Sequence, residues 1–111
     1  MDRSSAASDP VVEFRGILRR GENALFSVVH HWPFGKLRAS PEQLVFDADL
    51  TLRRPIVLPR ERVRRIHLAG LFGKALRFEH TASLQPEYVV FGVWNIEHLR
   101  GCLQELGWPV D

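Results

Sequence analysis

The sequence predicts a mainly β fold: a seven-stranded, partly open antiparallel barrel closed at one end by a single helix, with a further short helix at the amino end. Three observations carry that prediction. Between Gly35 and Ile66, the pairs Leu37 and Ala39, Leu44 and Phe46, and Ile56 and Leu58 repeat with period two, punctuated by Ser40-Pro41-Glu42, Asp47-Ala48-Asp49 and Pro55. From Asn95 to Leu106 the spacing changes, and Ile96, Leu99, Leu103 and Leu106 line one face of a helix. A chain of 111 residues, 45% hydrophobic and 25% charged, is long enough for one core and too short for two.

Taken in order, residues 1–10 carry Asp2 and Asp9 and no apolar run, which predicts a frayed tail of a cytoplasmic protein rather than a secretory signal. Val11, Phe14, Ile17 and Leu18 fall at helical offsets and predict a short amphipathic helix over 11–20, ending at Gly21. The single domain then continues through strands between residues 24 and 93. Ala24–Trp32, rich in β-branched and aromatic residues, is the first and stops at Pro33. Lys36–Ser40, Gln43–Asp47 and Ile56–Leu58 follow. Pro59 to Val63 reads as one helical turn, Arg65–Leu68 as a strand, Gly70 and Gly73 as the bounds of a loop, and Ala75–His80 and Tyr88–Val93 as the last strands. Asn95 caps the final helix, which Gly107 ends. Its apolar row must be buried against the sheet.

This order of elements resembles the pleckstrin-homology superfold, and most closely its GRAM and bacterial PH-like branches. The residues that carry the likeness are Gly21-Glu22, Gly35-Lys36-Leu37-Arg38-Ala39-Ser40, Gln43-Leu44-Val45-Phe46, and Ile56-Val57-Leu58-Pro59 with Val63 and Ile66. It spans Gly21 to Trp108. The resemblance implies a scaffold that recognises phosphoinositide headgroups, peptides or other proteins. In lipid-binding members the basic residues surround the loop between the first two strands; here that loop is His30 to Gly35, followed only by Lys36 and Arg38.

Net charge is +2, yet six arginines (Arg53, Arg54, Arg60, Arg62, Arg64 and Arg65) face Glu61 alone between residues 53 and 65. That stretch carries +5 and leaves about −3 for the rest. Arginine's planar fork suits phosphate or carboxylate, so the stretch is a candidate anion surface, against the alternative of a solvated face. Trp32-Pro33-Phe34, read as a hairpin loop beside Lys36 and Arg38, is a candidate wedge for a membrane or partner, against the alternative of a barrel plug. The candidate binding set is therefore Trp32, Phe34, Lys36, Arg38, Arg53, Arg54, Arg60, Arg62 and Arg64. His30 and His31 are adjacent and point to opposite sides of a strand, while His67, His80 and His98 have no ligand spacing, so no metal is expected. His80 shares the parity of Leu76 and Phe78 and reads as a hydrogen-bonded histidine at the core edge. Cys102 lies beside the helical apolar row with no nucleophile motif, which makes an enzyme the weakest reading.

The function expected is non-catalytic recognition without a cofactor, of a protein partner or of the protein's own copies. Anionic lipid at a membrane surface is the runner-up, and no nucleic-acid partner is expected.

Overall fold

A computed structural model describes residues 11–70 and 74–111. Its elements are β1 (Val12–Gly21), β2 (Ser27–Ala39), β3 (Gln43–Ala48), β4 (Ile56–Pro59), a 3₁₀ turn at Arg60–Arg62, β5 (Val63–Ala69), β6 (Ala75–His80), β7 (Tyr88–Gly92) and α1 (Ile96–Glu105). The seven strands form one antiparallel sheet in the order β4-β3-β2-β1-β7-β6-β5, curled into a half-barrel. The expected tail at residues 1–10 and most of the loop bounded by Gly70 and Gly73 lie outside the described residues.

Seven strands were expected and seven are present among the described residues, but two boundaries differ in compensating ways. Residues 11–20 do not form a helix; they are β1, whose even positions Val12, Phe14, Gly16, Leu18 and Arg20 take the inward parity. The period-two signal was concealed because its inward row includes Gly16 and Arg20, while Ile17 faces outward. Gly16 is demanded by close approach, since a Cβ there would stand 2.1 Å from the Gly92 carbonyl oxygen. The second difference is that residues 24–32 and 36–40 are not separate strands. They form the single strand β2, and Trp32-Pro33-Phe34 sits within it rather than in a hairpin loop. Gly16 pairs with Gly35 and Leu18 with His30, so two steps along β1 match five along β2. The three surplus residues are carried outward as a large bulge, which is how a proline is accommodated inside a strand.

The concave face holds the core: Leu18, Leu37, Leu44, Phe46, Ile56, Leu58, Ile66, Leu76, Phe78 and Phe91 are fully buried. Phe46 meets Phe78 edge to face at 4.8 Å between ring centres. α1 closes one end. Asn95 Oδ1 accepts from the His98 backbone N–H, Leu99 and Leu103 are fully buried, and Ile96 and Leu106 are partly buried against the same cluster. Burying each leucine contributes about 1.5–3 kcal/mol.

The far end of α1 stops in a Schellman turn, with Trp108 N–H bonded to the Leu103 carbonyl and Gly107 N–H to that of Gln104. Gly107 adopts φ +90°, a conformation that favours glycine. Trp108 turns back into the core and donates its Nε1–H to the Ser40 carbonyl at 2.9 Å. The Arg60 guanidinium lies 5.3 Å from the centre of that indole and donates to the carbonyls of Pro41, Leu106 and Gly107. It therefore ties the β2–β3 turn to the negative end of α1. Among the described residues no helix is long and apolar enough to cross a membrane.

Stability should follow this geometry. In urea unfolding, Trp108→Ala is expected to cost about 3–5 kcal/mol and Arg60→Ala about 1–2 kcal/mol, through three carbonyls left unpaired. Arg64→Ala, on an exposed strand position, should stay within about 0.5 kcal/mol.

Candidate functional site

The end of the half-barrel away from α1 is open, and three connections converge on it. Gly21 pairs with both Ser27 and Tyr88, which brings the β1–β2 turn beside the start of β7. Arg20 donates through Nη2 to the Arg54 carbonyl at 2.8 Å, which draws in the β3–β4 loop. The resulting depression is lined by Arg20, Phe26, Val28, Arg53 and Pro86, one or more residues from each connection.

Its charged lining is two arginines, Arg20 and Arg53, and one acid, Glu22. Arg20 and His30 both occupy inward-facing strand positions, and Arg20 Nη1 and His30 Nε2 are buried without a hydrogen-bond partner among the described residues. Burial, followed by the charge of Arg53, lowers the pKa of Arg20 below its ordinary value. Burial, followed by Arg20 and Arg53, likewise holds the His30 imidazolium below its ordinary 6.5, with Asp47 opposing the shift in both. Two arginines and one glutamate thus line the opening, and His30 is close enough to both arginines to feel their charge, an excess of positive charge that can receive an anion.

Around this basic mouth the loops expose large apolar side chains. In the β1–β2 turn Asn23 Oδ1 accepts from the N–H groups of Leu25 and Phe26, which holds those residues at the tip, 89% and 69% exposed. The β3–β4 loop presents Leu50 and Leu52, 91% and 104% exposed, immediately before Arg53 and Arg54. Leu50 also has φ +60°, and Leu84 in the β6–β7 loop φ +65°, a region costly for a branched side chain.

The nine residues singled out from sequence do not gather at one place. Arg53 and Arg54 belong to the mouth, whereas Arg60 is bound at the end of α1 and serves packing. Arg62 and Arg64 project from the 3₁₀ turn and β5 with no ion-pair partner among the described residues. Arg65 pairs with Asp111. The arginine stretch, contiguous in sequence, is therefore divided among four surroundings. Lys36 lies 3.9 Å from Asp49, whose other oxygen accepts from Arg15, and Arg38 is exposed on β2. Trp32 and Phe34 stand on the outward bulge, not at a barrel end as a plug would.

Sequence reasoning missed Arg20, Leu25, Phe26, Leu50 and Leu52. The strand expected over Ala24–Trp32 takes in Leu25 and Phe26, which lie instead in the β1–β2 turn; the signal that separates them is Gly21-Glu22-Asn23, a turn composition. His80 is as expected, its ring bonded to the Pro86 carbonyl and the Ala82 N–H at the core edge. Cys102 Sγ lies 3.8 Å from His98 Nε2, one helical turn away. No protein-family model matches the chain, and the search of curated proteins finds no relative. The architecture of seven antiparallel strands and one carboxy-terminal helix is compatible with a pleckstrin-homology-like fold.

The depressed His30 pKa has a definite sign. Between its folded value and 6.5 the unfolded chain binds more protons, so this group's contribution to stability is complete above pH 6.5 and is lost as pH falls through that window. An NMR titration of His30 should have its midpoint below 6.5, and His30→Gln should flatten the acid side of the stability profile relative to the wild type.

Proposed function

We propose that this protein is a non-catalytic recognition module of the GRAM and bacterial PH-like kind, and that it docks through its open mouth onto an anionic membrane surface. One observation carries the reading: exposed leucine and phenylalanine side chains stand at loop tips around an opening whose lining carries more arginine than acid. Exposed apolar tips insert into the interface, while Arg53, Arg54 and the inward Arg20 meet the phosphates; the two contributions need to act together for stable attachment. Leu50 and Leu84 strengthen the argument. Each is an almost fully exposed apolar side chain on a loop, which suits contact with an apolar phase.

This places the membrane reading ahead of the protein-partner and self-association readings. The β5 edge, one of two where a peptide or second copy could add a strand, is met by the chain itself at Ile66, through an isolated bridge to Val110. Ile66 donates to the Pro109 carbonyl and accepts from Asp111 N–H, each at 2.9 Å, and Arg100 donates to the Asp111 carbonyl. At Ile66 the β5 edge therefore has no free ladder groups for an added strand.

Co-sedimentation with vesicles tests the reading. Vesicles of phosphatidylcholine with phosphatidylserine should retain the protein, pure phosphatidylcholine should retain far less, and retention should fall as salt rises. Leu25→Asp with Phe26→Asp, and separately Arg53→Glu with Arg54→Glu, should each reduce partitioning by about tenfold or more, at roughly 1 kcal/mol per basic residue near the surface. Equal retention by both vesicle types, or indifference to both double variants, would overturn it.

A further inference from the structure

The convex face of the sheet carries a second concavity, separate from the mouth and facing away from the core. We infer that it is a binding site for a single-chain amphiphile with an anionic head. It measures about 510 Å³, within the ~300–1,000 Å³ usual for small-molecule sites.

Its shape follows from the strand register. Ile17, Val29 and Val90 are outward residues of three adjacent strands, β1, β2 and β7, and together make an aliphatic floor. Next to them Gly92 pairs with both Ile17 and Ala75, so two small residues meet where larger ones would level the surface. The walls are Trp32, lifted by the β2 bulge and 52% exposed, and Trp94, just beyond β7 and 77% exposed. An exposed isoleucine between two exposed indoles is an apolar surface lacking a partner.

Charge selects the occupant. Among the described residues the ionisable side chains lining the concavity are Arg19 and Lys74, both cations, and Tyr88; no carboxylate lines it. Lys74 stands 5.8 Å from the Trp94 ring, and Arg77, on the strand beside Val90, lies 5.1 Å from the Tyr88 ring with its Nε buried and unpartnered. On the outward face of β6, Glu79 is engaged by His67 at 2.6 Å. An aliphatic floor takes a hydrocarbon chain, and a rim of cations takes a negative head.

The site shares no lining residue with the mouth, so its fate is independent of the membrane reading. The probe is laurate, added below its micellar concentration, with 12-bromododecanoate as a quencher of tryptophan emission. Saturable one-site quenching is expected. Trp32→Phe and Trp94→Phe should each remove part of the amplitude, whereas buried Trp108 should contribute little. Arg19→Glu with Lys74→Glu should weaken laurate about tenfold, two partly exposed charge contacts together. Ala75→Leu, which fills the floor, should weaken it comparably, and Arg53→Glu with Arg54→Glu should leave it unchanged. Circular dichroism of each variant separates lost binding from lost folding. Dodecyltrimethylammonium binding as well as laurate would overturn the proposal, as would quenching that never saturates. So would sedimentation showing a dimer that dissociates when Trp94 is replaced, which would give this face to a second copy.

Discussion

A curled sheet has to hide its concave face, and here α1 and Trp108 do so at one end only. Leu99 and Leu103 lie over the core, the Schellman turn at Gly107 reverses the chain, and Trp108 returns beneath the β2–β3 turn with its indole nitrogen on Ser40. Arg60 then bridges the helix end and the same turn through three carbonyls. Because this end is sealed by packing and charge-assisted hydrogen bonds, the opposite end is free to be polar, open and rimmed by loops.

The two ends use arginine in opposite ways. At the closed end the guanidinium of Arg60 is satisfied by backbone oxygen and stacked on an indole. At the open end Arg20 has Nη2 on the Arg54 carbonyl and Nη1 without a partner among the described residues, with Arg53 close enough to depress its pKa. Mutual repulsion among cations is unfavourable within the isolated fold and becomes favourable when an anion arrives between them. The same residue type thus holds the fold together at one end and leaves attraction unsatisfied at the other.

The β2 bulge links the core to the convex face. Gly16 and Gly35 face each other across the ladder, and a Cβ on Gly35 would lie 2.7 Å from the Gly16 carbonyl oxygen. That close contact allows the strands to stay paired while Trp32-Pro33-Phe34 leaves the ladder. The outward displacement supplies one wall of the convex groove, and the small pair Gly92 and Ala75 supplies its depth.

Where apolar residues alternate without interruption, as in β3 and β4, or recur at helical spacing, as in α1, local pattern and burial coincide; strand and helix were legible in the residues alone. The cap at Asn95, the stop at Gly107 and the mainly β class come from the same source, because each depends on neighbours within a few positions. β1 was illegible since its inward row includes a glycine required by a distant carbonyl and an arginine required by the mouth. β2 was divided by a proline whose accommodation depends on its partner strand. The dispersal of the arginine stretch, and the meeting of Arg20, His30 and Arg53, follow from register and loop closure across the sheet. Sequence by itself determined which segments alternate, coil and turn; tertiary structure alone decided which side chains share a surface, because that proximity is set by contacts between residues far apart in the chain.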